Sequence, residues 1–290
     1  MRLSRLAQGV ALALVMVVAA ACGGDDSAAD GAAEATADAE LGHVHGLGTN
    51  PADGSLFIAT HSGLFRAPAG EQAAERVGDS LQDTMGFTVV GEDTFLGSGH
   101  PGPGEDGPPL LGLIRSTDAG QSWEPVSLSG EADFHALEAA HDRVYGFDGA
   151  NGRLMISDDG GETWAEREPP GPLLDIAVHP SEPERLAATS ERGVFVSDDD
   201  GETWRPVGGE IGFLAWPAED RLLLIGASGV VQASSDLGAS WEELGSIGGQ
   251  PAALIAESPD ELYAALPDGT IEQSTDGGRT WSVRATPSAG

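Results

Sequence analysis

Lysine is absent from this chain of 290 residues: its 14 basic residues are all arginine, set against 47 Asp and Glu, for a formal net charge of −33. No continuous face could neutralise phosphates with so few cations, which excludes a nucleic-acid partner. The acidity suits a protein kept soluble outside the cell. Cysteine occurs once, so no intramolecular disulfide can form. Tyr145 and Tyr263 are the only tyrosines, and both fall in expected strands as packing residues. What is abundant is glycine, 42 residues, with 18 prolines. That composition and length suit one large all-β domain of short strands and tight turns.

Residues 1–22 read as a targeting segment. Arg2 and Arg5 form a basic start, Val10 to Ala21 an apolar stretch too short to span a bilayer, and Ala19-Ala20-Ala21 a small-residue cleavage site. Cys22 follows directly. It resembles the lipidated cysteine of a bacterial lipobox, with Ala19 where a Leu is more usual, and ordinary secretion with a leftover thiol is the alternative. Lipidation at Cys22 would tether the protein to the membrane on the extracytoplasmic side. Residues 23–40 are almost all Ala, Gly, Asp and Glu, with almost nothing to bury, an acidic disordered tether.

From residue 41 onward one pattern dominates. Ser-x-Asp-x-Gly-x-(Ser/Thr)-Trp occurs at residues 116–123, 157–164, 197–204, 234–241 and 274–281. Each copy reads as a self-capping turn. The carboxylates of Asp118, Asp159, Asp199, Asp236 and Asp276 can accept backbone N–H groups of their own turn, and the glycine can take positive φ. Trp123, Trp164, Trp204, Trp241 and Trp281 then fold back as plugs that offer the indole N–H to the turn. The tryptophans are 41, 40, 37 and 40 residues apart, the period of a four-stranded sheet repeated around a propeller.

These boxes resemble the Asp-box, or BNR, repeat, and residues 41–290 resemble bacterial Asp-box lipoproteins described as sialidase-like or glycosylhydrolase-like. The resemblance implies a β-propeller. It implies less about activity, because propellers of this kind include glycosidases, sorting receptors, assembly factors and binding modules. Aligning the repeats on their boxes gives six blades, at roughly 41–80, 81–130, 131–171, 172–209, 210–249 and 250–288. The first has Ala67-Pro68-Ala69-Gly70 in place of a box. The start of each first strand and the end of each second strand share one rim, and the boxes lie at the opposite end. The acidic run Asp198-Asp199-Asp200 belongs to a turn cap; as a calcium loop it lacks the spaced Glu.

The histidines carry the functional signal. His45, Met85, His135, Leu174, Ile211 and Ala253 align at one first-strand position, His43 precedes His45 by two, and His61 and His100 end second strands on the same rim. Five of seven histidines thus converge on blades one to three; His141 and His179 fall at the other end. His43, His45, His61, Met85, His100 and His135 are the candidate metal ligands. Imidazoles with a thioether suit copper, and an all-His subset suits zinc, copper or nickel. The same side chains could instead line a pocket for a small ligand. The insertion Gly99 to Pro109, with Glu105 and Asp106, is expected to arch over this rim as a lid.

The resemblance to sialidases implies three arginines and a Tyr nucleophile. Phe65-Arg66-Ala67-Pro68 resembles that family's Phe-Arg-Ile-Pro motif, but alignment puts Arg66 beside the missing box, and apart from Arg192 no arginine maps to the rim. True sialidase activity is therefore not expected. A neutral-sugar glycosidase needs only two carboxylates roughly 5–10 Å apart, with Asp133, Asp148 and Asp175 as candidates or as plain polar lining. The expectation is a membrane-tethered, monomeric six-bladed propeller whose rim binds a metal ion or small ligand. A glycoside hydrolase acting on a glycan and a scaffold for a partner protein are the alternatives.

Overall fold

The computed structural model describes residues 42–287, so the targeting segment, Cys22 and the tether lie outside the described residues. Among the described residues all regular structure is β, as antiparallel meanders of four strands. The first comprises β1 (Val44–Thr49), β2 (Leu56–Thr60), β3 (Gly63–Ala67) and β4 (Ala73–Arg76). The second runs through β5 (Asp83–Gly91), β6 (Thr94–His100), β7 (Leu113–Ser116) and β8 (Glu124–Ser127). The third has β9 (Phe134–Ala140), β10 (Arg143–Asp148), β11 (Arg153–Ser157) and β12 (Ala165–Arg167). In the fourth are β13 (Leu173–Val178), β14 (Leu186–Ser190), β15 (Gly193–Ser197) and β16 (Arg205–Pro206). The fifth takes β17 (Gly212–Ala218), β18 (Arg221–Gly226), β19 (Val230–Ser234) and β20 (Glu242–Ser246). Last come β21 (Ala253–Ala256), β22 (Leu262–Ala265), β23 (Ile271–Ser274) and β24 (Ser282–Pro287).

The outermost strands β24 and β4 pair in parallel, Thr286 opposite Ala73, which joins the first and last meanders into one eight-stranded sheet. The innermost strands touch in sequence, β1 to β5, β9, β13, β17 and β21, and β21 returns to β1. Apolar residues are accordingly buried between sheets rather than within one. Phe57 of β2 packs on Phe95 of β6 at 4.7 Å between ring centroids, and Tyr145 and Leu154 pack with Ile176 and Leu186 of the next meander. Close approach requires small residues at the inner edge: a Cβ on Gly86 would lie 2.5 Å from the carbonyl oxygen of Phe134.

The box turns form as their chemistry dictates. In the second box the Ser157 hydroxyl accepts the Gly161 amide at 2.8 Å and donates to Asp159, whose carboxylate accepts the Thr163 amide and hydroxyl at 2.9 and 2.6 Å. Those bonds, the Thr163 hydroxyl first, hold the Asp159 carboxyl down at about 2. Two successive residues of each box take positive φ; in the boxes at 116–123, 197–204 and 234–241 the first is Ala119, Asp200 or Leu237 rather than glycine. The tryptophans depart from expectation. All five are half-buried rather than full plugs. Trp164 and Trp281 donate to the carbonyls of Gly161 and Gly278, whereas the indole N–H groups of Trp204 and Trp241 are buried without a partner.

Candidate metal centre

At the end of the sheets opposite the boxes, four inner strands open with the same irregularity. The β1–β2 register passes from Val44 opposite Thr60 to Gly46 opposite Ala59, leaving His45 as an extra residue. Met85, His135 and Leu174 occupy the matching bulges of β5, β9 and β13. A bulge redirects its extra side chain out of the sheet's alternation, and here His45 and His135 both line one cavity. The sequence alignment holds for these four positions and not for the other two. Ile211 precedes β17, and Ala253 opens β21 in regular register.

The bulge at His45 assembles a group of three imidazoles. His43 lies in the bend before β1 rather than on the strand, and its carbonyl accepts the His61 amide at 3.3 Å. The ring centroids are 4.9 Å apart for His43 and His45, 4.2 Å for His45 and His61, and 5.6 Å for His43 and His61. One ligand nitrogen from each lies within 4.8 Å of the others. The His45 side chain is only 10% exposed, and its Nε2 has no hydrogen-bond partner. Burial, then the neighbouring His61, His43 and His135 rings, push His45 down to about 3 against the opposing pull of Asp133. Its imidazole is therefore neutral at any physiological pH, with a lone pair available to a cation.

Asp83, a residue that sequence reasoning passed over, supports this group from β5. Its Oδ1 is 2.9 Å from His61 Nδ1 and 3.7 Å from His45 Nε2. A carboxylate bonded to one ring nitrogen leaves the other to face a metal and fixes the tautomer. Of the remaining predicted ligands, His100 and His135 meet Asp133 across the β6–β9 boundary, and Met85 occupies the matching bulge of β5. The Asp133 hydrogen bond, the largest influence, holds His135 above the usual imidazole value. His141 and His179 lie at the far end, where His141 Nε2 donates to the His179 carbonyl.

The carboxylates proposed for acid–base work are already engaged. Asp148 is fully buried and accepts bonds from Arg153, Asn151 and the Asp133 amide. Asp175 ties β13 to β17 by accepting the Leu214 amide at 2.7 Å. It also lines the channel below the histidines, beside Glu138, which the sequence did not single out because a lone Glu on a strand carries no pattern. Burial, then the charges of Asp175 and Glu257, push Glu138 up to about 8. Burial pushes Asp175 up to about 7 against the pull of the Leu214 and Ile176 amides. Deeper in, Glu138 and Glu257 line a cavity of about 420 Å³.

The 99–109 insertion, expected as a lid, is anchored through Glu105, which accepts the amides of Leu81 and Gly102 and the Ser80 hydroxyl and so ties the loop to the chain entering β5. One expectation about the rim is corrected: Arg192 is not the only arginine at this end, since Arg76 donates to the Ser62 carbonyl beside His61. Arg66 sits at the other end, paired with Asp53 at 2.6 Å.

Comparison with known proteins agrees with this architecture. The BNR/Asp-box repeat family matches residues 155–166 and 195–206. No curated protein matches the chain by sequence. Among solved structures, YCF48 from Cyanidioschyzon merolae is similar with a TM-score of 0.53 at 15% identity, over 84% of this chain and 85% of its own. A structure of YCF48 bound to D1 peptide is similar with a TM-score of 0.51 at 14% identity, over 82% and 92%. The GH74 xyloglucanase from Xanthomonas campestris is similar with a TM-score of 0.53 at 19% identity, over 84% of this chain but 45% of that enzyme. This chain therefore spans less than half the xyloglucanase. Identities this low speak to fold alone, and together with the repeats they make the protein a β-propeller built on BNR/Asp-box repeats.

Proposed function

We propose that this protein is a six-bladed, extracytoplasmic metal-binding propeller, tethered through lipidated Cys22 and acting as a monomer. The observation that carries the metal reading is the convergence of His43, His45 and His61, one ligand nitrogen from each lying within 4.8 Å of the others. Tetrahedral ligands about 2.1 Å from an ion lie roughly 3.4 Å apart, so the rings need to close by at most about 1.4 Å. His61, with its side chain 51% exposed, has room to turn inward onto the fixed, buried His45. Three neutral nitrogens suit zinc or copper, and a fourth position stays open to solvent or to a ligand.

The protein purified from residue 41 onward is expected to retain close to one equivalent of zinc or copper at this site, measured by elemental analysis after loading and desalting. His45→Ala should abolish that equivalent while the melting temperature of the metal-free protein changes little. A variant that keeps as many equivalents as the parent protein would sink the reading. A partner-protein reading has its own support in the similarity to YCF48 bound to D1 peptide. A glycosidase reading draws only on the fold shared with the xyloglucanase, and Asp148 is bound up in Arg153 and Asn151.

A further inference from the structure

The other half of the histidine cluster has a geometry of its own. His100, at the end of β6, has Nδ1 2.7 Å from the carbonyl oxygen of Pro109. A carbonyl only accepts, so Nδ1 carries a proton and Nε2 is the nitrogen turned to the carboxylate. That nitrogen lies 3.3 Å from Asp133 Oδ2, where a proton or a metal cation can bridge the two. The same oxygen is 2.8 Å from Nε2 of His135, the extra residue of the β9 bulge. Asp133 is itself deeply buried, with its side chain 5% exposed, and its second oxygen, Oδ1, has no hydrogen-bond donor. Buried carboxylate oxygens are almost always satisfied.

We propose that Asp133, His100 and His135 form a second divalent-cation site, distinct from the three-imidazole group and beside it at the mouth of the same channel. The cation would take the Nε2 lone pair of His100, the Asp133 carboxylate and a nitrogen of His135. Two imidazoles and one carboxylate form a harder donor set than three imidazoles, suited to zinc-class divalent ions rather than to copper(I). His100 already has the support that metal-bound histidines require, its other ring nitrogen held by a backbone carbonyl. The two sites share a seam. Asp83 and His100 face each other across the β5–β6 ladder; Asp83 turns to His61 and His45 of the first site, and His100 to Asp133 of the second.

The inference rests on the metal reading only for its neighbour, and stoichiometry separates the two. With zinc alone as probe, elemental analysis and calorimetric titration of the protein from residue 41 onward should give two equivalents. His45→Ala and the double variant His100→Ala/His135→Ala should each retain one, and the triple variant none. One equivalent in the parent protein, lost in His45→Ala and kept in the double variant, would overturn the second site and leave the first standing. The reverse pattern would overturn the first and leave the second. No zinc in the parent would remove both. Should the double variant fail to fold, His100→Gln alone, whose parent side chain is 38% exposed, must still drop the count to one.

Discussion

At the scale of single residues, the proposed metal binding depends on where nitrogen lone pairs are left free. His45 is held neutral by burial and by its neighbours, and Asp83 holds His61 by Nδ1. Asp83 is therefore predicted to act through His61 rather than as a ligand. Asp83→Asn should lower zinc affinity at the three-imidazole site roughly 10–100-fold without abolishing binding, as for other second partners of metal-bound histidines. A chelator competition titration measures this, and an unchanged affinity would show that the His61 orientation is set by other contacts.

At the scale of the element, the box turn is a closed hydrogen-bond circuit that does not depend on the rest of its sheet. Ser157 is its hub, fully buried and bonded to Gly161 and Asp159. Replacing Ser157 with Ala leaves the Gly161 amide without an acceptor, a cost of about 1–3 kcal/mol. Urea denaturation should show that loss with little change in the slope of the transition. The inner strands show a second elementary device, the bulge. It lets a strand keep its core face against the neighbouring meander while one side chain at its start points into the channel.

At the scale of the whole molecule, closure of the ring brings carboxylates of different meanders together. Glu138 of β9, Asp175 of β13 and Glu257 beyond β21 share one channel. Glu138 is raised from 4.5 to about 8, so the folded protein binds its proton more tightly than the unfolded chain does. That contribution to stability is complete below pH about 4.5 and is lost as pH rises through about 8. Glu138→Gln is thus expected to match the parent near pH 4 and to melt progressively higher than it as pH approaches 8. Asp175, raised to about 7, keeps part of the slope in the variant. Melting curves that stay parallel across this range would contradict the assignment.

The sequence by itself determined the repeat. Each box closes its turn with residues within eight positions, so local chemistry and a period near 40 residues give the meanders directly. It also placed five of the seven histidines at one end, because the alternation of up and down strands follows from that repeat. Tertiary structure decided how those histidines divide. Whether His45 and His135 leave the regular alternation depends on a bulge, a property of cross-strand register that appears in no single strand's sequence. Asp83, Glu138 and Glu257 were illegible for a related reason: each is an isolated acid on or beside a strand, given a partner only when separate meanders pack. The same packing assigned Asp148 and Asp175 to structural ties and Asp133 to a pair of imidazoles, since the pull on a carboxylate is set by the groups that folding brings within a few ångströms of it.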